Sequence, residues 1–126
     1  MTVYLDTHVA AFLHAGDGAL LSPPAVHFLE SARSIRVSPM VVLELQYLFE
    51  IERIAYAGDE IAGFLQDQFG IITDRESLGE AVLHAQTYSW TRDPFDRIIT
   101  AQAAQAGAFL LTRDEIIRAN YRGAIW

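Results

Sequence analysis

The 126-residue chain contains no cysteine. That excludes disulfides, thiolate metal sites, iron–sulfur clusters and cysteine nucleophiles. It also contains no lysine, because all nine basic residues are arginines. Without a lysine ammonium, ordinary P-loop nucleotide binding and Schiff-base chemistry are excluded. No apolar run approaches the ~20 residues that span a bilayer. The opening Met1-Thr2-Val3-Tyr4-Leu5-Asp6 has no basic stretch ahead of its first acid, so it does not read as a secretory leader. A cytoplasmic protein with no membrane attachment is expected. Positive charge is scarce: nine arginines face sixteen acids, for a net charge of −7. Passive coating of a nucleic acid by such a surface is disfavoured. Acids gathered around divalent cations would be neutralised locally, so the deficit counts against a binding module more than against a metal-dependent nuclease.

Hydrophobic residues make up 52% of the chain and charged residues 20%. This suits a packed core, and the length suits a single domain over residues 1–126. Short β-prone runs alternate with helical stretches. Strands are expected at 2–5, 35–38, 71–73 and 109–112, with a final edge strand at 124–126. Helices are expected at 7–15, 22–33, 39–54, 58–68, 76–88, 94–106 and 115–120. Ser22 is the expected cap of the second helix, and prolines stand at three helix starts (Pro23, Pro24, Pro39 and Pro94). The alternation predicts a three-layer α/β/α sandwich with a mostly parallel central sheet.

In such sheets sites form beyond the carboxyl ends of strands. Asp6 closes the first strand and Asp114 follows the run Phe109–Thr112. Asp93 and Asp96, in Asp93-Pro94-Phe95-Asp96-Arg97, open the helix before that run. Each has a plain alternative as a helix cap or a first-turn acid. Glu44 resists that alternative. It lies in Met40-Val41-Val42-Leu43-Glu44-Leu45, where burying an unpaired carboxylate costs several kcal/mol. Something cationic should face it: an arginine, or a metal shared with the other acids. An oxygen-only donor set favours Mg²⁺ or Mn²⁺, which activate water and stabilise a leaving oxygen at phosphorus.

With these pieces in order, the chain resembles the PIN domain family, and within it the VapC-type toxin ribonucleases of toxin–antitoxin pairs. The matching pieces are Val3-Tyr4-Leu5-Asp6-Thr7-His8, Ser38 followed by Glu44, Asp93-Pro94-Phe95-Asp96-Arg97-Ile98-Ile99, and Leu110-Leu111-Thr112-Arg113-Asp114. Ile125-Trp126 resembles the family's last strand. The likeness spans nearly the whole chain, and the Asp-Pro-Phe-Asp-Arg segment is its most specific part. It implies a PIN-like sandwich, Mg²⁺- or Mn²⁺-dependent cleavage of RNA, and an antitoxin partner. It implies metal ligation by Asp6, Glu44, Asp96 and Asp114. Asp93 is then a cap or a more distant ligand, and Thr7 and Thr112 orient carboxylates or water. Relatives often carry a histidine shortly before the Asp-Pro-Phe-Asp stretch, where this chain has Trp90, Thr91 and Arg92.

Three arginines flank the acids. Arg92 and Arg113 are either phosphate ligands, since guanidinium pairs with phosphate oxygens bidentately, or neutralisers of the acid cluster. Arg97 is expected to neutralise the acids. His8 is expected to point away from Asp6 along its helix. Tyr47, Leu48 and Ile51 extend the apolar face of the Glu44 helix, as core or as a surface for a homodimer or an antitoxin helix. Other functions fit less well. A phosphatase using Asp6 as nucleophile wants an acid at position 8 and a later lysine, and a receiver-like domain also needs a lysine. A PIN-fold scaffold without activity, binding RNA or protein, is the remaining alternative, and a metal titration separates it.

Overall fold

The computed structural model describes residues 1–126. Five short strands form one sheet: β1 (Thr2–Leu5), β2 (Ser34–Val37), β3 (Ile72–Thr73), β4 (Phe109–Leu111) and β5 (Ala124–Ile125). All neighbours pair in parallel, in the order β3-β2-β1-β4-β5. Seven helices connect them: α1 (Thr7–Ala15), α2 (Pro23–Ser31), α3 (Pro39–Glu50), α4 (Gly58–Phe69), α5 (Leu78–His84), α6 (Pro94–Gln105) and α7 (Glu115–Asn120). No helix is long and apolar enough to cross a membrane.

β1 is the central strand, and Val3, Tyr4 and Leu5 are all buried. A parallel strand covered on both faces is apolar at successive positions rather than alternating. Helices α1, α3 and α4 pack on one another, and α5 packs on α6. Right-handed crossovers put these two groups on opposite faces of the sheet, which makes the three layers. Leu45, Ile61, Leu65, Ile99, Leu110 and Ile117 carry the core between them.

The helix starts follow the expected chemistry. Ser22 Oγ accepts from the Ala25 amide at 3.2 Å, and Ser38 Oγ from Met40 at 3.1 Å, each just ahead of a proline. Most boundaries fall within two residues of expectation, and two depart further. α3 stops at Glu50, because Glu52 takes a left-handed backbone (φ 62°) and the Arg53 amide turns back to Leu48 O at 2.8 Å. The stretch expected as one helix over 76–88 is α5 followed by a single tight turn at Ala85–Thr87. Gly58, at the start of α4, lies so close to α3 that a Cβ there would meet Val42 O at 2.3 Å. Its amide donates to Gln46 Oε1 at 3.1 Å. These contacts fix how closely the two helices approach.

Candidate active site

The chain leaves β1 toward β2 but enters β4 from β3, so β1 and β4 are neighbours whose connections diverge. A crevice opens beyond their carboxyl ends at such a switch point. Asp6 follows β1 directly, and its amide donates to Leu111 O of β4 at 2.9 Å. Thr112, Arg113 and Asp114 follow β4. Helix α3 brings Glu44, and the start of α6 brings Asp93 and Asp96. A cavity of about 330 Å³ results, lined by Asp6, His8, Glu44, Asp93, Asp96, Arg113 and Asp114. No apolar residue lines it.

Three of these acids also cap helices. Asp6 accepts from the Thr7 amide (2.8 Å), Asp93 from Phe95 (2.8 Å) and Asp96 (3.3 Å), and Asp114 from Ile117 (2.9 Å). Capping therefore explains where those backbones start, but it leaves Glu44 without a structural task and Asp96 only that of a first-turn acid of α6. The Asp96 carboxylate caps nothing, and the partner of Glu44 is the Thr7 hydroxyl, not an arginine. Thr112 Oγ1 donates to Asp6 Oδ2 at 2.5 Å and accepts from the Asp114 amide at 3.1 Å. Two buried threonines thus set the orientation of two acids.

No arginine pairs with the cluster. The ion pair of the structure is Arg36–Asp74, at 3.9 Å, and it lies elsewhere. Arg97, expected to neutralise the acids, donates from Nε to Thr91 O at 2.8 Å and lines a separate hollow with Val82 and Pro94. Arg92 donates to Ser89 O at 2.9 Å and does not line the acid cavity. Arg113 does line it, with its guanidinium 5.1 Å above the Phe12 ring. His8 also lines it, contrary to expectation. Helical side chains lean toward the N-terminus, and Asp6 is the residue capping that end.

Unneutralised acids raise one another's proton affinity. Burial pushes Asp96 up to about 7, reinforced by the charges of Asp93, Asp6, Asp114 and Glu44. Burial also pushes Asp6 up, against the Thr112 and Thr7 hydrogen bonds that favour its charge. Glu44 is raised by burial, with Thr7 opposing and Asp6 and Asp93 reinforcing. As the side chains stand, no group of three His, Asp or Glu residues is arranged to hold a metal ion. The donor chemistry nevertheless fits one. Five carboxylates face one apolar-free space with no ion-paired cation, which is the oxygen-rich surrounding a hard divalent ion takes.

A sequence model of the PIN domain matches residues 3–123. The chain belongs to the PIN domain family. Within the PIN domains it is of the VapC type: ribonuclease VapC22 of Mycobacterium tuberculosis is 31% identical over 121 residues, covering 94% of this chain and 92% of that one. Solved PIN-type folds agree at lower identity. The VapBC2 structure of Rickettsia felis, bound to a promoter DNA fragment, aligns with a TM-score of 0.61 at 16% identity, covering 99% of this chain and 96% of that one. VapC20 of M. tuberculosis, a toxin that cleaves the sarcin–ricin loop, aligns with a TM-score of 0.58 at 16% identity, covering 94% and 95%.

A further acid, Asp74, stands just after β3 and outside the acid cavity. It is 7% exposed and accepts from the Tyr4 hydroxyl and from Ser77 Oγ (2.8 Å). Its signal in the sequence is the same as for Asp6, an acid closing a parallel strand, but the strand it closes is only two residues long.

Proposed function

We propose that this protein is a Mg²⁺- or Mn²⁺-dependent endoribonuclease and the toxin of a toxin–antitoxin pair. The observation that carries the reading is the convergence of Asp6, Glu44, Asp93, Asp96 and Asp114 on one polar cavity with no arginine paired to them. Asp6, Glu44, Asp96 and Asp114 would hold the metal, and Asp93 would serve as a cap that adds charge at its margin. A divalent ion bound there supplies a Lewis acid, which lowers the pKa of water and offsets charge building on the phosphoryl oxygens. The protein's part is orientation. Thr112 holds the Asp6 carboxylate and Thr7 holds Glu44, which limits how far these two side chains turn to meet a metal. Arg113, steadied by Phe12, is placed to take a phosphate of the RNA at the rim. Arg92 and Arg97 each donate to a backbone carbonyl and lie outside the acid cavity.

The antitoxin reading is supported by a second feature. A cavity of about 840 Å³ adjoins the acids through Thr7 and His8, with Phe12, Leu48, Tyr56 and Phe64 among its lining. An apolar segment of a partner seated there would bring a basic side chain to the acids and cancel their charge. Tyr47, Phe49 and Ile51 are exposed on the neighbouring stretch and offer the surface for a homodimer.

The test is cleavage of a mixed cellular RNA pool by the purified protein with Mg²⁺ or Mn²⁺, and in excess chelator. Cuts at defined sites that vanish on chelation support the reading. Undiminished cleavage after chelation overturns the metal mechanism. No cleavage of any RNA in the pool, with no Mg²⁺ binding, would leave the scaffold alternative standing in its place.

A further inference from the structure

Asp74 is the only buried acid outside the cavity described above. Its side chain is fully engaged. Oδ2 accepts from the Tyr4 hydroxyl of β1 and from Ser77 Oγ, Oδ1 accepts from the Glu76 amide at 3.2 Å, and Arg36 of β2 stands 3.9 Å away. The backbone joins in. The Asp74 amide donates to Val37 O at 2.9 Å, and Asp74 O accepts from Gln102 Nε2 at 2.7 Å. Gln102 Nε2 also donates to Ser77 Oγ at 3.0 Å, while Gln102 Oε1 is buried with no partner. The amide is therefore held by its nitrogen end, with its oxygen left unsatisfied.

This network joins β1, two residues before Asp6, to helix α6, six residues after Asp96. Elsewhere α6 is held by apolar packing, with Phe95 against the main core and Ile98 against α5, and by the Arg97–Thr91 bond at its start. The buried positions of α6 include Ala101 and Ala103, with Ile99 as the one large apolar side chain. Methyl groups pack without strong directional preference, whereas a hydrogen bond fixes distance and angle. Sliding α6 by one residue would carry Asp96 about 1.5 Å along the axis, enough to spoil a shared ligand set.

We infer that Asp74 and Gln102 are positioning residues: together they lock α6 against the strand that carries Asp6, and so set Asp96 and Asp93 opposite Asp6. This rests on the metal-dependent reading above. Neither residue touches the acids.

Two variants test it, Gln102→Met, which removes both donor bonds at similar volume, and Asp74→Asn, which keeps shape but weakens the hold on Tyr4 and Ser77. Phe28→Ala, on α2, a helix that carries none of the cavity's acids, removes a ring packed 4.7 Å from that of Phe109 and is the control for simple loss of stability. Mg²⁺ affinity is read by calorimetry well below each variant's melting temperature, beside KM and kcat on a cleaved RNA. Gln102→Met should bind Mg²⁺ about tenfold more weakly, with kcat reduced and KM for RNA unchanged. Asp74→Asn should show a smaller loss in the same direction. Phe28→Ala should melt earlier yet bind Mg²⁺ as the wild type does. If Gln102→Met does not fold, Asp74→Asn decides. Wild-type Mg²⁺ affinity in the folded variants overturns the inference and leaves the nuclease reading intact. A wild-type protein that neither binds Mg²⁺ nor cleaves RNA overturns both.

Discussion

Thr112 and Asp6, 106 positions apart in sequence, are joined by a 2.5 Å hydrogen bond from the threonine hydroxyl to the carboxylate. The same hydroxyl oxygen accepts the Asp114 amide, so one side chain orients the Asp6 carboxylate and holds the backbone at Asp114. Replacing Thr112 by Val keeps the volume and removes both contacts. Asp6 is almost fully buried, and leaving its oxygen without this donor should destabilise the protein by about 1–3 kcal/mol. Mg²⁺ affinity should fall by roughly 10- to 100-fold. Urea melts and calorimetry check both, and a variant with full affinity would show that Thr112 does not orient Asp6 for a metal.

Removing charge from the cluster should have the opposite effect on the metal-free protein. Asp96→Asn and Glu44→Gln each relieve repulsion among like charges. Their melting temperatures in chelator should equal or exceed the wild type's, while cleavage and Mg²⁺-induced stabilisation disappear. A clear fall in the metal-free melting temperature would favour a structural duty for these acids.

The same cluster predicts a pH dependence in chelator. Folding raises Asp96 to about 7 from the ordinary aspartate value of 3.8. Between those values the folded protein keeps a proton that the unfolded chain has released. Stability therefore declines as pH rises through that window, and levels off above about 7. Asp6 and Glu44 shift in the same direction. Asp74 does not oppose this. Burial raises it, but the hydrogen bonds of Tyr4, Ser77 and Gln102 outweigh burial and hold it below 3.8, so its contribution is lost only in stronger acid. Thermal melts at pH 5 to 8 should show the decline, Asp96→Asn should flatten it, and Mg²⁺ should restore stability at pH 8. A flat wild-type profile in chelator contradicts the electrostatic account.

Asp93 should separate its two duties. Asn caps a helix as well as Asp does, so Asp93→Asn should melt within a few tenths of a kcal/mol of wild type, whereas Asp93→Ala should lose about 1 kcal/mol. Cleavage by Asp93→Asn should be reduced but not abolished. If Asp93→Asn is inactive while Asp96→Asn cleaves normally, the direct ligand is Asp93.

Arg113 should act on substrate rather than on chemistry. Its guanidinium lies over Phe12 at the rim of the acid cavity. Arg113→Gln should raise KM for RNA several-fold, with a smaller change in kcat. An equal loss in kcat and kcat/KM would place Arg113 in the transition state instead.

Local chemistry by itself determined the order of strands and helices, because its signals act within a turn or two. Ser22, Ser38 and Asp93 precede prolines at helix starts, and the continuous apolar run Val3–Leu5 marks a strand buried on both faces. The acids closing β1 and following β4 were legible for the same reason, and Glu44 was legible because a carboxylate amid Val41, Val42, Leu43 and Leu45 demands a partner. The identity of that partner was not legible. Thr7 and Glu44 lie 37 positions apart, and only the packing of α1 against α3 brings the hydroxyl to the carboxylate. Arg97 adjoins Asp96 in sequence yet faces Thr91, because the first turn of α6 sends neighbouring side chains in different directions. His8 joins the acid cavity through the lean of its side chain toward the helix start, a direction that spacing does not carry. The Tyr4–Asp74–Gln102 network depends on where β3 pairs and where α6 lies against α5. Hydrogen bonds between distant elements exist only once the whole chain has packed, so tertiary structure alone decided them.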